Sequence, residues 1–529
     1  MDMENNRQDY AEASQWPQCY MPKPLFDLSK RDIAFAVCGV IVCVLTSVYG
    51  IFGGFALGYA VTSVCILFLF AAYFREKGRV SAFSATCGVL ALANTAVFLC
   101  TTNGSVRFFG VLTGFLLSLA CLDGLAIGGT RGNRGTVYLF YKAAATMQHI
   151  DVAVKSLFSD HSGNRKTAGK VLIGLLCAVP VLIVVIPLLR SSDEAFQGML
   201  DRMFDDIGNT VFKVAFGIAL SVFVVCYGFC LKTGRIVQQK ESRFAGIENV
   251  YIVSFLSAIS LCYLLYLFSQ LAYFFSAFKG FLPNGGITYA QYARKGFFEM
   301  CAIAVINLVL VFTAMLFARK QAGKVCLPIK LLATFIGAFT LLIISTAISK
   351  MVLYIDKYGM TVLRLTTSAF MVFLAVVFIS MILRIYIRKI NIVKTALITA
   401  GCVVLILGTV NVNRVCAWYN YDSYMSGRLK AVDVEAMYNL GDEGIPYIVK
   451  LASDKDPSVA SSAKKYLRNA YLYDYFENVK ATEGFTLDQL QKNERDSGLS
   501  YFSIPRKAAY DSLYDSLKVN PDFSQYCKP

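Results

Sequence analysis

CAIAVINLVLVFTAMLF, Cys301 to Phe317, decides the fold. It carries no charge, and with the apolar residues around it reaches the length that crosses a hydrocarbon core of about 30 Å. Blocks of this kind recur along the 529-residue chain, which is 56% hydrophobic and 16% charged, with a mean hydropathy of +0.54. A soluble domain of this size carries about 25% charged residues. The composition is that of a polytopic membrane protein, an all-α helix bundle.

Working outward, the blocks predict eleven spans, near 32–51, 54–74, 81–101, 108–129, 170–189, 209–231, 249–276, 297–318, 330–350, 361–383 and 394–412. Gly50, Gly53 and Gly54 separate the first two. Three regions follow: an N-terminal segment 1–31, a transmembrane domain 32–412 and a polar tail 413–529. Basic residues crowd alternate loops, among them Arg75/Lys77/Arg79, Lys232/Arg235 and Arg384/Arg388/Lys389. By the positive-inside rule the N-terminus is cytoplasmic, and eleven spans put the tail outside. The net charge of +16 is therefore a membrane signature and needs no nucleic acid. No cleavable signal is expected in the polar first 30 residues.

Two segments read as surface helices: the basic loop 130–169 on the inner leaflet, and "SSDEAFQGMLDRMFDDIGN" from Ser191 on the outer one. The tail is expected to be small and mainly helical, with one HEAT-like pair. Gly441 ends a helix, Pro446 opens the next, and Asp456-Pro457 caps and starts another. Its apolar positions are Ile445, Ile448, Val449, Leu451, Val459, Ala463 and Leu467. The 16 cysteines show no metal spacing and the chain has two histidines, so neither metal nor cofactor is expected. Cys416 and Cys527 share the tail and could pair.

Charges gather at three mouths. "GITYAQYARKGFFEM" (Gly286–Met300) puts Arg294, Lys295 and Glu299 at the entrance of the eighth span. "YIDKYGMTVLRL" (Tyr354–Leu365) offers Asp356, a turn at Gly359, a cap at Thr361 and Arg364 in the first helical turn. "PLLRSSDEAF" (Pro187–Phe196) adds Arg190, Asp193 and Glu194. Cations at a helix N-terminus oppose the macrodipole, and on the outer side they oppose the positive-inside rule as well. Two readings explain them: interhelical ion pairs that order the helices, or a pocket for an anionic group such as a lipid phosphate or an envelope polymer. In the second, Arg294, Lys295 and Arg364 hold the anion while Glu299, Asp193 and Asp356 orient them.

Polar exceptions within spans are Asn94, Asp123, Gln270 and Asn307. A transporter would use Asp123, Asn307 or Gln270 along a path. An envelope enzyme on a lipid-linked substrate would use Glu299 or Asp193 as acid or base. No motif demands catalysis, and a non-enzymatic binding, sensing or envelope-accessory role is expected. The bilayer is the one evident partner.

The three mouths, together with "VDVEAMYNLGDEGIPYIVKL" (Val432–Leu451), resemble the multi-span membrane proteins grouped as domain of unknown function 4173 and its relative 4153. Where that family tends to have Ala-Asp-Pro after the fifth span, this chain has "SSDEAF", with Glu194 in place of proline. The resemblance implies a bacterial cytoplasmic-membrane protein and no particular activity.

Overall fold

The computed structural model describes residues 29–75, 81–127, 185, 207–233, 247–279, 297–319, 325–387, 389–469 and 501–519. All regular elements among them are helices, as a chain without water to satisfy its backbone requires. They are α1 (Lys30–Leu45), prolonged by a π-helical turn Thr46–Ile51, α2 (Leu57–Tyr73), α3 (Ala82–Asn94), α4 (Val97–Cys100), α5 (Gly104–Ile127), α6 (Ile207–Thr233), α7 (Asn249–Lys279), α8 (Phe297–Phe317), α9 (Leu327–Tyr358), α10 (Val362–Tyr386) and α11 (Ile392–Val410). The tail contributes α12 (Val412–Met425), α13 (Val434–Tyr438), a 3-10 turn Gly441–Glu443, α14 (Ile445–Leu451), α15 (Pro457–Asn469) and α16 (Ile504–Val519).

Among the described residues, nine helices are long and apolar enough to cross a membrane. α2 is apolar but has 17 residues, about 25 Å at the α-helical rise. Of the expected span at 170–189 only Val185 is among the described residues, and the loop 130–169 and the helix expected after Ser191 lie outside them. The break expected between the first two spans is present. The π turn leads to a reversal in which Gly54 has φ +78° and Phe55 +51°. The 81–101 span is itself broken after Asn94, whose amide donates to the carbonyls of Leu90 at 2.9 Å and Gly401 at 3.4 Å.

The membrane core has two halves. Phe35, Phe70 and Phe229 pack α1, α2 and α6 together, while Ile329, Ile336, Ile343, Met371 and Phe378 do so for α7 to α10. Cys87, Leu90 and Leu117 join α3 and α5, and α11 packs against them. Chain alternation defines two ends. One carries the tail and is called the tail face below; the other is the far face.

At the far face Asp32 is wholly buried. Lys232 reaches its two oxygens at 2.5 and 2.6 Å, Tyr73 donates at 2.6 Å, and Ser29 forms a capping box with it. One carboxylate thus ties α1, α2 and α6.

In the tail, the helices begin and end where the turn residues dictate. Pro446 sits in the first turn of α14, and Asp456 accepts from the Ser458 N–H at 2.9 Å to cap α15. All seven apolar positions named above lie in one cluster, Val449 and Val459 at its rim. Val434 and Met437 of α13 and Ala509, Tyr510 and Leu513 of α16 complete it. A single helical pair exposes one apolar face, and α13 and α16 cover it.

Candidate functional site

The tail rests on three turns that connect spans, and each turn is held by hydrogen bonds. At the turn between α4 and α5, "TTNG", the carboxylate of Glu443 is only 4% exposed. It accepts from the Thr102 N–H at 2.8 Å and hydroxyl at 2.5 Å, from the Asn411 amide at 3.1 Å, and at 3.4 Å from the Thr101 hydroxyl and the Asn413 amide. Asn411 also donates to the Cys100 carbonyl at 2.6 Å, and Asn103 to the Asn413 side-chain oxygen at 2.8 Å. Three short polar runs, TTNG, NVN and GDE, thereby close over one buried acid. A buried carboxylate is tolerated only when donors surround it.

At the turn between α9 and α10, Asn420 of α12 pairs with Met360 in both directions: it accepts from the Met360 N–H at 2.7 Å and donates to its carbonyl at 2.8 Å. At the turn between α1 and α2, the Tyr501 hydroxyl donates to the Phe52 carbonyl at 3.2 Å, and the Phe502 carbonyl accepts from the Leu57 N–H at 3.3 Å.

Two arginines staple the same turns from below. Arg364, in the first turn of α10, sends Nη1 back to the carbonyls of Tyr358 (3.2 Å) and Gly359 and lays its guanidinium over the Tyr354 ring, 3.9 Å from the centroid. Arg107, in the first turn of α5, donates to the carbonyls of Thr101 at 2.8 Å, Gly54 at 2.9 Å and Phe98 at 3.3 Å. In each case a cation from the start of one helix covers the carbonyl end of the helix before it, where the macrodipole is negative. The apparent conflict with the dipole of their own helices resolves this way.

The expected site residues fall out as follows. Thr361 caps α10, accepting from the Arg364 N–H at 3.4 Å. Asp356 touches the neighbouring Lys357 at 3.6 Å, both exposed. Glu299 is exposed in the first turn of α8. Cys301 Sγ lies 3.4 Å from Met371 Sδ, which sets that helix start beside α10. Among the described residues neither Arg364 nor Glu299 has an ion-pair partner, and Asp356 has only Lys357. Arg294, Lys295, Asp193, Glu194 and Arg190 lie outside the described residues.

Of the intramembrane polar groups, Asn307 is fully buried, accepts from the Tyr263 hydroxyl at 2.6 Å and donates to Thr340 at 2.9 Å. Tyr263 stacks on Phe339. Asp123 accepts from Tyr227 at 3.4 Å. The neighbours of Asn307 belong to the α7–α10 core and those of Asp123 to the α1–α2–α6 core. Gln270 lies in α7, its side chain outside the described residues. Cys416 is a buried free thiol, and Cys527 lies outside the described residues.

Sequence reading missed Arg107, Glu443 and the asparagines around it. Arg107 was visible as one cation in an otherwise uncharged stretch, the same anomaly as Arg364. Glu443 had no such mark, because an acid in a polar tail is ordinary until the fold buries it.

No curated protein and no solved structure matches the chain. The model of one family, Domain of unknown function (DUF4153), matches residues 56–451, well over half of the chain. Of the two related families that the mouths resemble, 4153 is thereby supported. The matched stretch runs past the last span to the end of α14, so it contains Arg107, Asn411, Asn420 and Glu443 with the α4–α5 and α9–α10 turns, while the turn between α1 and α2 lies before its start. The chain belongs to the family Domain of unknown function (DUF4153).

Proposed function

We propose that this protein is a non-enzymatic binding or sensing protein of a bacterial cytoplasmic membrane, with its N-terminus inside and its tail outside, and that its tail face receives an anionic group. The reading rests on Arg364. Its charge is held in place by two carbonyls and an aromatic ring, with no carboxylate to neutralise it among the described residues. A preorganised, unneutralised guanidinium is a natural ligand for a phosphate or carboxylate. Arg294 and Lys295 join it as ligands, and Glu299, Asp193 and Asp356 are the carboxylates proposed to orient those two cations. A lipid headgroup or a charged envelope polymer supplies the anion. The orientation is supported by Arg75, Lys232, Arg319, Lys330, Arg384, Lys389 and Lys394, all near helix ends at the far face.

The test is mass spectrometry of lipids retained by gently purified protein, wild type against Arg364→Gln and Arg294→Gln/Arg364→Gln, with thermal stability measured in parallel. An anionic lipid held by the wild type and lost from variants that still melt cooperatively supports the reading. Equal retention in all three would end it, and a drop in stability alone would leave Arg364 as a carbonyl cap.

A further inference from the structure

α12 is set across the end of the bundle. Asn411 at its start bonds to the Cys100 carbonyl, and Asn420 in its middle bonds to Met360. Cys100 is the last residue of α4, and Met360 sits in the turn between α9 and α10. The two contacts are nine residues apart, about 13 Å along a helix axis. A helix standing up from the membrane could touch such turns at one point only, so α12 lies along the level where the spans end. Its lower side, Val412 and Cys416, packs on the bundle. Its upper side, Ala417 with Tyr421 and Tyr424 at the rim, packs under the helical pair.

What remains is the lateral face: Arg414, exposed, with Trp418 54% and Met425 58% exposed. On α11, just before the break at Asn411 (φ +61°), Ile406 and Val410 are 58% and 57% exposed. Ile406 and Val410 lie one helical turn apart on α11, and Arg414 and Trp418 one turn apart on α12, beyond the non-helical Asn411. The first two belong to a spanning helix and its apolar outer surface. The next two change to a cation and an indole where that helix ends.

We propose that the lateral face of α12 is a bilayer-interface anchor. Its partner is the boundary between lipid headgroups and upper acyl chains, with the Trp418 ring lying in that boundary and Arg414 reaching to headgroup phosphates. Indoles prefer this layer because the ring is apolar and its N–H is polar, and arginine stems bury while the charge stays wet. The inference is independent of the anion site, since it rests on the placement of α12 and not on Arg364.

Trp418 can be read alone, because Trp16→Phe leaves it the sole tryptophan of the chain. The full-length variant is reconstituted into phosphatidylcholine–phosphatidylglycerol vesicles carrying bromines either near the carbonyl end or near the methyl end of the acyl chains. The expected result is blue-shifted emission that is lost most with the shallow bromines. No loss with either lipid, or loss greatest with the deep bromines, would overturn the proposal. If Trp16→Phe folds poorly, the emission difference between wild type and Trp418→Phe reports the same residue.

Discussion

The Glu443 carboxylate accepts a hydrogen bond from the Thr102 backbone N–H at 2.8 Å, across 341 positions of the chain. One side chain of the tail thus finishes the turn between two spans. Replacing it by alanine strands a buried N–H and two amides, and such bonds to a charged acceptor are each worth about 1.5–3 kcal/mol. Glu443→Ala is expected to lower unfolding stability by about 3 kcal/mol and to make the tail cleavable by protease under native conditions. Glu443→Gln, which keeps one acceptor oxygen, is expected to lie between it and wild type. Proteolysis unchanged in the alanine variant would show that the tail is held elsewhere.

Arg107 is expected to matter through geometry more than charge. Its three nitrogens serve three carbonyls in two different turns. An ammonium cannot span that fork, so Arg107→Lys is expected to cost about 1–2 kcal/mol, and Arg107→Ala more. Thermal unfolding in detergent measures both. A lysine variant as stable as wild type would reduce the role to that of a point charge.

The Asp32–Lys232 pair calls for a double-mutant cycle. Removing Lys232 leaves the wholly buried Asp32 charge uncompensated, a loss of about 3–5 kcal/mol, whereas Lys232, 34% exposed, keeps access to water when Asp32 is replaced. Lys232→Met is expected to destabilise strongly and Asp32→Asn less, with the double variant recovering much of the loss seen in Lys232→Met. Additive losses would mean that the two side chains act separately.

Gly359 has φ +78°, and a Cβ there would lie 2.6 Å from Asn420 Oδ1. Gly359→Ala therefore strains the backbone and pushes on the bond between tail and bundle. The expected cost exceeds about 1 kcal/mol, with increased protease access to the α12 region. Wild-type resistance in this variant would place the tail contact elsewhere on α12.

Burial pushes the Cys416 thiol from its ordinary value of 9.0 up to about 12. The thiolate is the reactive form, so a maleimide at pH 8 should leave Cys416 unmodified in folded protein and modify it after denaturation, as peptide mapping will read. The unfolded chain loses this proton first, near pH 9, so the contribution to stability is full below that pH and falls as pH rises toward 12. Rapid labelling of the native protein would contradict the buried placement.

Much of the fold was legible because membrane solvation reduces the problem to counting apolar stretches. The spans from Cys301 and from Thr361 come out within a few residues of α8 and α10. The tail helices were legible too, because Gly441, Pro446 and Asp456 act locally. Arg364 was found by its position but not by its partner. A carbonyl cap leaves no complementary charge in the sequence, so the search for ion pairs pointed to Asp356, which pairs with its neighbour instead. The clamp at Glu443 was out of reach for a different reason. TTNG and NVN each read as an ordinary polar turn, and only a contact 310 positions long, from Asn103 to Asn413, makes them one site.

The bond from Tyr501 to Phe52 carries a consequence for biogenesis. The turn after α1 emerges among the first, yet the residue that covers it lies 449 positions later. At synthesis rates of about 5–20 residues per second, that turn waits roughly 20–90 seconds for its partner. Throughout that interval the turn after α1 keeps an open polar end, and closure comes only when Tyr501 has left the ribosome.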